Sequence, residues 1–228
     1  MGITVSSVRQ PSRPPRTHAR YSGADVTAKP FSPPRRVECE FVPLTNDLAI
    51  LVTEIDANLS HADSLTHGLT DQQFNWRPES GRWSIAECFG HLNLINGADL
   101  PQLKTAIDAA LAKGVTGEGP FHYGLLSRKF VASMEPPVKR KVKAPKQYLP
   151  PSEASLEETI SEYRRISAAL RALVKKSDGL HLAKVKTRLS GIPVLRMPLG
   201  ARFNLLTTHD RRHLWQAEQV RNHSDFPK

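Results

Sequence analysis

Two histidines one helical turn apart, His209 and His213, stand in the stretch Thr208-His209-Asp210-Arg211-Arg212-His213-Leu214-Trp215-Gln216. Spacing i, i+4 stacks both imidazoles on one face of a helix. Such a pair offers two nitrogens to one metal ion. A third histidine, His91, lies far upstream in a second amphipathic segment. If the two helices pack together, three neutral imidazoles converge and leave open coordination positions, the pattern of a catalytic metal site. The spacing alone also has a plainer reading, because histidine pairs four apart occur in helices as ordinary polar packing.

Four amphipathic helices must do the positioning. The first is expected over about residues 44–66, where Leu44, Leu48, Leu51, Ile55, Leu59 and Ala62 recur every three or four positions, with Thr45 or Asn46 as cap and Gly68 as stop. A connector over 67–83 follows, with Trp76, Pro78, Gly81 and Trp83. The second helix is expected to start at Ser84, because Ser84 and Glu87 have the spacing of a capping box. Its core face reads Ile85, Cys88, Phe89, Leu92 and Ile95, and His91 lies on or beside that face. Pro101 should kink or break it, with a continuation that ends at Gly114. A short helix at about 123–133 comes next, then a third long helix at about 155–176 that Gly179 ends. Residues 180–198, with Gly191, Pro193 and Pro198, read as a long connection holding at most a short extended piece. The fourth helix is expected over about 201–222, with both histidines in its apolar stripe. No strand stands out, so the fold class expected is all-α, a four-helix bundle with long inter-helix connections.

Composition narrows the partners. The chain of 228 residues is 39% hydrophobic and 24% charged, which suits a globular core. No apolar run approaches the ~20 residues needed to span a bilayer, so no membrane partner is expected. Cys39 and Cys88 lack metal-type spacing, and a reducing cytoplasm is the default location. Residues 1–40 carry seven Arg and Lys against three acids, within a net charge of +10. Six prolines and no apolar periodicity make that stretch read as a disordered basic tail, with the domain over 41–224. A second basic cluster, Lys139, Arg140, Lys141, Lys143 and Lys146, is Pro-rich and lacks interleaved aromatics. Both clusters read as solvated charge, and nucleic acid is not an expected partner.

Two segments carry a resemblance. Asn75-Trp76-Arg77-Pro78 followed by Gly81-Arg82-Trp83-Ser84-Ile85-Ala86-Glu87-Cys88-Phe89-Gly90-His91-Leu92, together with His209-Asp210-Arg211-Arg212-His213-Leu214-Trp215-Gln216, resembles the DinB-like (DinB/YfiT) superfamily. The resemblance spans roughly residues 42–222. It implies a bundle of up-down-down-up order and a divalent ion, zinc, nickel or iron, held by His91, His209 and His213. Members of that family include thiol-dependent S-transferases, maleylpyruvate isomerase-like enzymes and proteins described as metal-dependent hydrolases. The tail and the basic segment around 136–151 lie outside its signature.

The remaining residues divide as follows. Glu87, one turn before His91, is a capping residue that could also support the site, and Gln216 could orient a ligand or bound water. Trp76 and Trp83 read as cover for the core, Cys88 as an inert core thiol, and Asp210 as exposed. His61, His67, His122, His181 and His223 read as surface residues. The function expected is a metal-dependent enzyme acting on a small molecule. It is either a hydrolase using metal-bound water or an S-transferase using a low-molecular-weight thiol. The competing reading is a non-catalytic helical scaffold with a structural ion or none. A homodimer is left open.

Overall fold

The structure is a computed structural model that describes residues 44–137, 143–190 and 192–228, the side chains of 192–194 excepted. The expected tail at 1–40 and the cations Lys139, Arg140 and Lys141 lie outside the described residues. Lys143 and Lys146 are exposed.

The chain is mostly helical with a small two-stranded sheet. Helix α1 spans Asn46–Thr66 and buries Leu48, Leu51, Ile55, Ala62 and Leu65, the stripe that the sequence repeat marks. Gly68 follows at φ 74°, a left-handed conformation that costs glycine little. The connector is more ordered than expected. It contains a short helix α2, Asp71–Asn75, closed by a Thr70–Gln73 capping box. Helix α3 spans Ile85–Ala112 and starts from the Ser84–Glu87 capping box, in which each residue's side chain accepts the other's backbone N–H. Pro101 does not break α3. It is exposed, removes one backbone donor, and is flanked by the buried Leu92, Leu103 and Ile107, whose packing keeps the helix on its course.

Helix α4, Leu125–Ala132, buries none of its residues. A 3-10 turn at Lys146–Tyr148 then leads into α5, Leu156–Lys176. The stretch expected to be a connection forms a hairpin instead. Strand β1, Lys186–Leu189, pairs antiparallel with β2, Ile192–Pro198. Pro193 misleads the sequence reading because it falls in the irregular part of the pairing, between the Leu189–Ile192 and Arg188–Arg196 partners, where a missing N–H is tolerated. Helix α6, Leu199–Arg221, ends the fold.

Both α1 and α3 pack against α5 and α6. The core along these four helices is divided. One apolar cluster joins Leu51, Ile55, Leu103, Ile107, Leu170, Phe203 and Leu206. The other joins Ala62, Phe74, Ile85, Phe89, Leu92, Ile160, Tyr163, Leu214 and Ala217. Between them each helix contributes buried polar residues: Asn58 from α1, Asn96 and Asp99 from α3, Ser167 from α5, Thr207, Thr208 and Asp210 from α6. This polar waist is bonded internally. Asn58 donates to the Thr207 carbonyl at 3.0 Å, and Asn96 donates to Asp210 at 2.8 Å.

Candidate metal centre

The histidines meet where the waist borders the second cluster: His209 and His213 fall between Leu206 and Leu214 on α6, and His91 between Phe89 and Leu92 on α3. The α3 capping box fixes where that helix starts, and so sets the rotation that carries His91 toward α6. On α6 the i, i+4 spacing brings His209 Nε2 to 3.1 Å from His213 Nε2. The ring centroid of His91 lies 5.2 Å from that of His209 and 4.7 Å from that of His213. One ligand nitrogen from each of the three lies within 4.8 Å of the others. Two nitrogens bound to one ion at about 2.0–2.1 Å stand roughly 3–3.4 Å apart, so the α6 pair is already close to chelating separation.

The hydrogen bonds leave lone pairs aimed inward. A carbonyl can only accept, so the 2.8 Å contact between His91 Nδ1 and the Tyr148 carbonyl places the proton on Nδ1. Nε2 of His91 is then a bare lone pair. The two Nε2 atoms of His209 and His213 face each other, and neutral rings can share only one proton between them. Among the described residues, Nδ1 of His213 is buried without a partner at hydrogen-bond geometry. A cation between the facing nitrogens would satisfy lone pairs that these imidazoles cannot satisfy for one another. The donor set therefore fits a divalent ion.

Electrostatics keep the rings neutral, the form that binds metal. Burial pushes the His91 pKa down, with the Tyr148 bond opposing. His213 is driven well below the usual range by burial, then by its two histidine neighbours and Arg212. His209 keeps some solvent contact, yet is pushed down to about 3, first by desolvation, then by His91, Arg212 and Arg202. Trp83 closes one side, its ring 5.0 Å from His91 and stacked on His213 at 5.6 Å. Two surface depressions, of about 350 Å³ between α1 and α5 and 280 Å³ between α4 and α6, include none of the three ligand candidates.

A family model for the DinB superfamily matches residues 54–217. The chain belongs to the DinB superfamily. The matched span holds all three histidines and most of α1 and α6. No curated protein and no solved structure gave a match.

Other expected residues of this DinB-superfamily chain fall differently. Glu87 is taken up by its cap and by Arg77, which bonds it through Nε at 2.8 Å and Nη2 at 2.9 Å. Gln216 acts on His213 through a side-chain interaction that draws its pKa back upward. Cys88 is core, 1% exposed, and burial raises its thiol pKa. Asp210 is a correction: it is buried, not exposed. One step along α6 from His209 does not reach solvent, because Asn96 of α3 and Tyr163 of α5 face the Asp210 carboxylate. Asp210 accepts from Asn96 and from Tyr163 Oη at 3.2 Å, and desolvation raises its pKa to about 7 against those donors. His61, His181 and His223 are half-buried rather than fully exposed, and His223 packs on Trp76. Sequence reasoning missed the Tyr148 carbonyl, which has no side-chain signature. Trp83, expected as core cover, does pack against the second apolar cluster, and it packs on two of the three imidazoles as well.

Proposed function

We propose that this protein is a metal-dependent enzyme of the DinB superfamily, built on an up-down-down-up bundle. It binds one divalent ion, zinc, nickel or iron, through His91, His209 and His213. The substrate is a small electrophile, and the nucleophile is water or a low-molecular-weight thiol. The observation that carries this reading is the convergence of three neutral imidazoles, with no fourth His, Cys, Asp or Glu joining them among the described residues. A structural zinc site closes its tetrahedron with a fourth protein ligand, whereas a catalytic one keeps a position open.

When bound, the ion supplies Lewis acidity, lowering the pKa of a coordinated water or thiol. The chain's residues do the rest. His91 presents Nε2 because Tyr148 holds the Nδ1 proton. Trp83 shields two rings from water, while His209 stays partly open to solvent. Arg212 adds positive charge near His209, whereas the charge of Arg202 is offset by its ion pair with Asp99.

The test is metal analysis of protein purified without a nickel column, followed by titration of the cobalt-substituted form with imidazole and a small thiol. One ion per chain and a saturable spectral change are expected. Turnover with water alone identifies a hydrolase; turnover only with added thiol identifies an S-transferase. An unchanged spectrum would leave the non-catalytic scaffold reading in place.

A further inference from the structure

The segment Asn75-Trp76-Arg77-Pro78 is part of the family resemblance, yet among the described residues none of its side chains makes a hydrogen bond or ring contact with His91, His209 or His213. Its polar members grip a different part of the chain. Asn75 Nδ2 donates to the Ala154 carbonyl at 2.9 Å, and Asn75 Oδ1 accepts the Ala154 N–H at 2.9 Å. Arg77 Nη2 donates to the Ser152 carbonyl at 3.0 Å while also holding Glu87. Asp71 accepts the Leu156 N–H at 2.8 Å. The stretch 148–156 is thus pinned at 152, 154 and 156.

Its other end lies on α3 beside the metal centre. A Cβ on Gly90 would stand 2.9 Å from Pro150 Cβ, closer than Cβ atoms pack, so glycine is what lets the strap lie flat there. Glycine in a helix interior is destabilising relative to alanine, so this position gives up helix propensity for that contact. Two residues before Pro150, the Tyr148 carbonyl accepts the hydrogen bond from His91 Nδ1–H.

We propose that Asn75, Arg77 and Gly90 are positioning residues of the metal centre. Together they seat strap 148–154, so that its Tyr148 carbonyl fixes His91 as the Nδ1–H tautomer with Nε2 facing His209 and His213. The proposal rests on the metal reading for its purpose, but the tautomer itself is measurable without metal. An imidazole with no partner on Nδ1 populates both neutral tautomers, and in the Nε2–H form an ion at that nitrogen meets a proton instead of a lone pair. Removing an outer partner of a metal-bound histidine typically weakens metal binding by about 10–100-fold.

The experiment uses the full chain, metal-free and ¹⁵N-labelled. Long-range ¹H–¹⁵N correlation reports the His91 tautomer, competition titration reports zinc affinity, and far-UV circular dichroism reports the fold. Wild type is expected to show Nδ1–H alone. Gly90→Ala is expected to mix the tautomers and weaken zinc binding by about 10–100-fold. Gly90→Ala with Pro150→Gly removes the atom that the new methyl strikes, and should recover both readouts to within a few-fold. Arg77→Met, which releases Ser152 without adding a clash, should reproduce the Gly90→Ala tautomer mixture, and serves if Gly90→Ala fails to fold. The proposal is overturned if Gly90→Ala and Arg77→Met keep a pure Nδ1–H pattern. It is also overturned if the double variant, with unchanged dichroism, stays as impaired as Gly90→Ala. If wild type takes up no zinc while the tautomer responds as described, the metal reading falls and the seating of His91 by the strap stands.

Discussion

His209 is the most exposed of the three ring nitrogens' owners and the one on which the pair geometry turns. Replacing it with Ala leaves two nitrogens, too few to hold an ion through desalting. Bound metal should fall from stoichiometric to trace by elemental analysis, with helical dichroism largely kept. The same residue makes a pH prediction. In the metal-free fold its pKa is depressed to about 3, whereas in the unfolded chain it returns to about 6.5. Between those values the unfolded state binds a proton that the folded state refuses, so His209 withdraws stability as pH falls below about 6.5. Asp210 acts oppositely: its folded pKa is raised to about 7, so it withdraws stability as pH rises above its unfolded value. The clean quantity is the difference in urea-unfolding free energy between wild type and His209→Gln, in which Asp210 largely cancels. That difference should move against wild type from about pH 6.5 to about pH 4. A difference that stays flat across this range would contradict the depressed histidine.

Among the elements, the hairpin has the least expected anchor. Asp99 of α3 is 1% exposed; it accepts from Ser190 at the end of β1 and pairs with Arg202 of α6. Arg202→Met leaves that carboxylate buried and uncompensated, which costs about 3–5 kcal/mol. Urea denaturation should show a loss of that order, and a loss below about 1 kcal/mol would mean that Asp99 finds water instead. None of this is legible in the sequence, because a buried pair joins residues far apart in the chain and Asp99 sits among ordinary helix formers. What is legible is local. The start of α3 follows from Ser84 and Glu87 three apart, and the α6 pair from a spacing that needs no partner element. His91 could be joined to that pair only conditionally, since nothing in its own segment says which helix it faces. The hairpin was hidden by Pro193, α2 by its brevity, and the burial of Asp210 by the assumption that leaving the histidine face means reaching water.

For the molecule as a whole, an ion that binds only the folded chain must stabilise it. At a free-ion concentration about one hundred times the dissociation constant the gain is about 2.7 kcal/mol. Melting in the presence and absence of chelator should differ accordingly, and the triple replacement of His91, His209 and His213 by Ala should erase the difference. The divided core adds a further consequence. Grease sits at both ends of these helices and wettable groups sit in the middle, and the imidazoles hang where that middle meets one end, as the last span of a bridge deck hangs beside its tower. Trimming the far tower at Leu103 should change the span without touching the deck, whereas Phe89 stands only two residues from His91. Packing at the apolar ends would then tune the distance between α3 and α6. The size of ion that the proposed site would prefer should then be open to change by substitutions that no list of ligands would ever name.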